Sequence, residues 1–130
     1  MKTFKEYVDT KVSYGKRPMM VFRGVGNTIE ERHPSSLLGI FASPDINTAK
    51  AYAGQAGKIL KLYMNIKNPY YMSYEEIQNI KNEYDALRIK SNLKRLGYDG
   101  IFLKPIKGSG ANPYSISEYI AFDKSQLKEI

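Results

Sequence analysis

The 130-residue chain contains no cysteine, no tryptophan and a single histidine, His33. Without thiols there is no disulfide scaffold, no thiolate zinc site and no cysteine nucleophile. One histidine is too few for a His-rich metal site, and it leaves a Ser-His-Asp hydrolase a single candidate base. His33 stands in a polar stretch beside Pro34, away from every motif, and reads as an exposed loop histidine. No acidic loop has calcium spacing, so no metal is expected. No apolar run approaches the ~20 residues a membrane span needs. The N-terminal Met1-Lys2-Thr3-Phe4-Lys5-Glu6 lacks a signal-peptide core. A soluble cytoplasmic protein with no membrane partner is the expectation.

What is present is ordinary for a globular domain: 42% hydrophobic, 25% charged and 12% aromatic residues. A chain of this size buries roughly two-thirds of its unfolded surface, enough for one core. A single domain over residues 1–130 is therefore expected. The net charge of +7, from 20 Lys and Arg against 13 Asp and Glu, permits an anionic partner such as a nucleotide, a nucleic acid or an acidic protein. The densest basic group is Lys81, Arg88, Lys90, Lys94 and Arg95. Its spacing fits the wet face of a helix better than a nucleic-acid footprint.

Periodicity predicts an amphipathic helix over 2–12, a strand over Met19–Arg23 and a surface loop over 27–39. A second strand covers Gly39–Ser43, and Asp45 or Asn47 caps a helix running to about Gly54, with Ala49, Tyr52 and Ala53 on one face. Lys58–Lys67 alternates Leu60, Leu62, Met64 and Ile66 with polar positions, the signature of a half-buried strand that Asn68-Pro69 closes. Ser73-Tyr74-Glu75-Glu76 has capping-box spacing. Ile77, Ile80, Tyr84 and Leu87 mark a helix face continued by Leu93 and Leu96, with a phase slip at 89–91 that implies one bent helix or two. Ile101–Leu103 is a buried strand, 105–117 a Gly- and Ser-rich mobile loop, Glu118–Phe122 the last strand, and Ser125–Lys128 a tail. Without regular βαβ alternation the class is α+β.

Three strands carry a polar residue next to apolar ones: Arg23-Gly24 after Val21-Phe22, Ser43 after Phe41-Ala42, and Glu118 before Tyr119-Ile120. Singly, each is ordinary: an ion-paired Arg, a turn serine, a solvated Glu opening an edge strand. The ordered series is more specific. It runs Phe-Arg-Gly, Phe-Ala-Ser-Pro-Asp, Ala-Lys-Ala-Tyr-Ala (49–53), Leu62–Pro69, Gly97–Ile101 and Glu118–Phe122 with Gln126-Leu127-Lys128. Over residues 19–129 this series resembles the ADP-ribosyltransferase superfamily, and most nearly its small domains in phage and bacterial polyvalent proteins.

The resemblance implies an α+β fold with short split β-sheets and flanking helices, NAD as co-substrate, and mono-ADP-ribosyl transfer to a macromolecular, protein acceptor. It implies that Glu118 accepts a hydrogen bond from a ribose hydroxyl where positive charge develops, a demand shared with glycoside hydrolysis. Arg23 would hold ribose or phosphate with its planar fork, and Gly24 would let the backbone approach the nicotinamide carboxamide. Ser43 would orient the catalytic Glu, and Phe41 or Tyr52 would supply an aromatic face. Tyr52, in helical phase with Ala49 and Ala53, reads equally as core. In the loop before Glu118, Tyr114 would contact the acceptor. Arginine-modifying relatives have a second acid two positions before the catalytic Glu. Ile116 stands there, which speaks against an arginine acceptor. The Ser43 motif also lacks the flanking hydroxyls of the typical Ser-Thr-Ser, so NAD hydrolysis alone stays open.

Two other readings stand beside this one. The first is a non-catalytic phage or bacterial interaction or inhibitor module on the same fold, one that blocks or decoys a host factor; whether the protein is a toxin or an anti-defence effector is open in either case. The second is a small basic nucleic-acid-binding domain, whose 11 Tyr would stack bases while its cations meet phosphates.

Overall fold

The computed structural model describes residues 18–26, 33–105 and 116–130. The expected helix over 2–12 lies outside them, as do residues 27–32 and 106–115 of the two expected loops. Among the described residues the chain forms seven short strands in two sheets with three α-helices, an α+β arrangement compatible with a small ADP-ribosyltransferase-like domain.

The first sheet has the order β1-β3-β7, with β1 (Met19–Val25) antiparallel to β3 (Lys58–Met64) and β3 antiparallel to β7 (Leu127–Glu129). The second has the order β2-β6-β5-β4, from β2 (Ile40–Ala42), β6 (Glu118–Ala121), β5 (Gly100–Lys104) and β4 (Pro69–Ser73). Only β4 and β5 are parallel. A parallel pair needs a crossover, which α2 (Tyr74–Gln78) and α3 (Glu83–Arg95) provide. The remaining helix, α1 (Ile46–Ala53), packs on β1 and β3.

Strand alternation sorts side chains into two cores. Ile101, Leu103 and Ile120 point to the crossover helices, where they meet Met72, Ile77, Ile80, Ala86 and Leu93. The opposite face meets the first sheet through Val21, Ala42, Leu62, Met64, Ile66 and Ala121. The period-two reading of Lys58–Lys67 holds over Lys58–Met64, where Leu62 and Met64 are buried and Leu60 half-buried; beyond the strand's end at Met64 it fails, because Asn65 is buried together with Ile66.

Four expectations need correction. First, Ser125–Lys128 is not a tail. A 3-10 turn (Lys124–Gln126) leads into β7, and Gln126 Nε2 donates to the carbonyls of Asn65 (3.1 Å) and Asp99 (2.8 Å). Second, 33–39 is not all loop, because Pro34–Leu38 forms a 3-10 turn that buries Leu38. Third, Pro69 begins β4, a strand the periodicity did not mark.

Fourth, the long helix breaks at 79–82 rather than at 89–91. Asn82 caps α3 by accepting from the Asp85 N–H at 2.9 Å. The break keeps Ile77 and Ile80 buried but turns Tyr84, Leu87 and Leu96 outward, where they are 73%, 52% and 69% exposed. Of the basic group, Lys81, Arg88, Lys94 and Arg95 are exposed as expected, whereas Lys90 is half-buried with its Nζ 5.9 Å from the centre of the Phe122 ring. Arg88 lies 3.8 Å from Asp85, and Lys94 3.8 Å from Asp123. No helix among the described residues is long and apolar enough to cross a membrane.

Candidate active site

The two sheets meet where β1 passes the end of β2. Phe22 and Ser43 form an isolated antiparallel bridge, with N–H to carbonyl distances of 2.8 and 2.9 Å. One residue on, Arg23 Nη1 donates to the Phe41 carbonyl at 2.7 Å. Arg23 is thus anchored across the sheet junction, with its guanidinium at the wall of a cleft.

Helix α1 forms another wall. Asp45 caps it by accepting from the Asn47 N–H at 2.9 Å. Its small residues Ala49 and Ala53 let it lie almost against the backbone of β1. A Cβ on Gly24 would overlap the Ala49 carbonyl oxygen and come within 2.7 Å of the Ala53 nitrogen. Gly24 is therefore required by close approach of a helix, independently of any ligand.

Glu118 opens β6, which is an inner strand between β2 and β5 rather than the expected sheet edge. It is 2% exposed and shares a cross-strand row with Leu103 and Met72. A carboxylate in an apolar row is costly unless hydrogen-bonded. One oxygen, Oε2, accepts a short hydrogen bond from the Tyr74 hydroxyl. The other, Oε1, is buried with no hydrogen-bond partner among the described residues. The Tyr52 phenol also faces this carboxylate. Burial, followed by the nearby charge of Glu118, pushes its pKa up to about 12. Burial first, then the bond to Glu118, raises Tyr74 as well.

Ser43 is 1% exposed. Its Oγ donates to the Ser117 carbonyl at 2.9 Å and accepts from the Asp45 N–H at 3.0 Å. The expected link from Ser43 to Glu118 thus runs through the backbone of the preceding residue. The same hydroxyl ties the start of β6 to the start of α1.

Arg23, Gly24, Phe41, Ser43, Tyr52 and Glu118 all line one cleft of about 450 Å³, within the roughly 300–1,000 Å³ usual for small-molecule sites. Tyr52 is 60% exposed and belongs to this cleft rather than the core. His33 is exposed as expected, yet it also lines the cleft. Its Nδ1 accepts from the Ser35 N–H at 3.2 Å and lies 2.9 Å from Ser35 Oγ. Tyr114 lies outside the described residues. Sequence reasoning missed Tyr74. Its only local signal was the helix cap at Ser73, whose Oγ accepts from the Glu76 N–H at 3.2 Å. No group of three or more His, Cys, Asp or Glu side chains among the described residues is placed to hold a metal ion.

Comparison with curated proteins gave no match. Among solved structures, an anti-CRISPR protein is similar, with a TM-score of 0.45 and 14% identity, over 87% of this chain and 96% of that one. The family described as ADP-ribosyltransferase in polyvalent proteins matches residues 15–130. With that match covering most of its length, the chain belongs to the ADP-ribosyltransferases of polyvalent proteins.

Proposed function

We propose that the protein is an NAD-dependent mono-ADP-ribosyltransferase acting on a protein acceptor. The family's use of NAD and of macromolecular acceptors supports this in general terms. The observation that carries the reading for this chain is the cleft itself. A fork-bearing cation, Arg23, and a buried carboxylate, Glu118, with one oxygen unpartnered among the described residues, line it together with Phe41 and Tyr52.

In this reading the bond between nicotinamide and the ribose anomeric carbon breaks, and its electron pair leaves with nicotinamide. The acceptor's nucleophilic atom bonds to that carbon and releases its proton to solvent. Glu118 Oε1 accepts from a ribose hydroxyl and offsets the positive charge that develops on the sugar. Arg23 holds ribose or phosphate. The backbone at Gly24 meets the carboxamide, Phe41 and Tyr52 flank the ring, and Ser43 sets the height of Glu118 through Ser117. Water in place of the acceptor would make the same site a glycohydrolase.

The test is NAD consumption, with nicotinamide and ADP-ribose resolved, by wild type and Glu118→Ala in a bacterial lysate. Wild type should release nicotinamide, and the variant should be slower by on the order of 10²-fold or more. Label transferred to one lysate protein identifies the acceptor. If folded wild type neither binds nor consumes NAD, the reading is wrong and the non-catalytic interaction module replaces it.

A further inference from the structure

Glu118 stands in the wall between two openings. On one side is the cleft with Arg23. On the other is a more open depression, which Tyr74 lines and which does not include Arg23. Strand alternation explains the arrangement. Glu118 and Ile120 project to the same face of the second sheet, the face covered by the crossover helices. Tyr74 is the first residue of α2, directly after β4, and Met72 and Glu118 are both cross-strand partners of Leu103. The Tyr74 ring therefore reaches across one strand to the carboxylate, and its hydroxyl donates to Oε2.

A carboxylate has two equivalent oxygens and a freely turning terminal torsion. Here Oε2 is held by Tyr74, and Oε1 has no hydrogen-bond partner among the described residues. We propose that Tyr74 is a positioning residue: by holding Oε2 on the depression side it fixes the carboxylate plane and presents Oε1 alone to the cleft. This inference rests on the NAD reading above, in which a ribose hydroxyl is the partner of Oε1. Tyr74 touches the carboxylate rather than substrate, so it acts through Glu118. Its raised pKa, from burial first and then from Glu118, keeps it a protonated donor across the neutral range.

The expected result for Tyr74→Phe is a fall in kcat of about tenfold, the usual worth of a hydrogen bond to a charged group, with the calorimetric Kd for NAD within about twofold. Tyr71→Phe, at an exposed phenol on the opposite face of the sheet, should leave both unchanged. An NAD-independent readout covers the case in which Tyr74→Phe does not fold. In ring-labelled protein at pH 7, the Tyr74 Cζ resonance should move upfield in Glu118→Gln, because a phenol donating to an anion carries more phenolate character. An unmoved resonance, or a Tyr74→Phe enzyme that weakens NAD binding and leaves kcat intact, overturns the proposal. If wild type and Glu118→Gln handle NAD alike while the resonance moves, the hold is real. The NAD reading is then what fails, and the catalytic role falls with it.

Discussion

Phe22 and Ser43 exchange both backbone hydrogen bonds, at 2.8 and 2.9 Å, and so lock the two sheets together at the cleft. Apart from Tyr52, which comes from α1, every residue proposed to meet NAD lies within a few positions of that bridge or is tied to it. Arg23 and Gly24 follow Phe22, Phe41 precedes Ser43, and Glu118 follows the residue whose carbonyl Ser43 Oγ holds. Site geometry and sheet junction are one construction, so substitutions here should act on stability and turnover together.

Ser43→Ala removes a hydroxyl that satisfies the Ser117 carbonyl and the Asp45 N–H at once. Ser117 is half-buried and Asp45 exposed, so water can replace part of what is lost and the cost is about 1 kcal/mol. Urea unfolding should show that loss. Turnover measured on the folded fraction should also fall, since the start of β6 is no longer held against α1.

Arg23→Lys keeps the charge and loses the fork. The Arg23 bond to the Phe41 carbonyl is 2.7 Å long, and a single ammonium cannot both hold that carbonyl and clamp a phosphate. NAD binding by calorimetry should weaken by on the order of tenfold, and stability should fall by about 1 kcal/mol.

Gly24→Ala should be more damaging than its one methyl group implies. The added Cβ would overlap the carbonyl of Ala49, a backbone atom of α1, so the helix itself must move. Overpacking of this kind costs about 1–3 kcal/mol. Gly57→Ala meets the neighbouring Ala53 carbonyl from the same helix and should behave alike in unfolding, while lying outside the residues that line the cleft.

Alkaline pH should weaken the fold through the phenols around Glu118. Tyr52 is raised from 10.0 to about 12, by burial and then by the carboxylate. A group that holds its proton more tightly when folded contributes stability fully below the unfolded pKa, and loses it as pH rises through the folded one. The Tyr52 contribution is therefore complete below about pH 10 and gone above about pH 12. The stability gap between wild type and Tyr52→Phe should shrink across that window in urea melts. Because Tyr52 is 60% exposed, solvent screening keeps the effect small.

The amino-acid sequence alone determined the elements whose signals are local. Alternation from Leu60 to Met64 and the caps at Asp45 and Ser73 needed only neighbours in the chain. The α+β class and the family resemblance followed from the order of short motifs. The shortest element held by a distant partner was not legible. β7 is three residues long, and the pairing of Leu62 with Glu129 and of Met64 with Leu127 makes it a strand. The break at 79–82 was within reach of sequence, since Asn82 has a cap's spacing to Asp85, but the apolar phase of Tyr84 and Leu87 outweighed it.

The tertiary structure decided the rest of the site. Glu118 reads locally as a solvated strand opening, and becomes a buried carboxylate because β6 is placed between β2 and β5. Tyr52 fits a core helix face by period, yet it lines the cleft while Ala49 and Ala53 take the buried face against β1. Tyr74 meets Glu118 across 44 positions of chain, through a parallel β4–β5 register that no local pattern encodes. Hydrophobic period reports which face of an element is wet or dry. Which elements come together depends on pairing and closure, and those contacts joined one phenol, one serine and one carboxylate in this cleft.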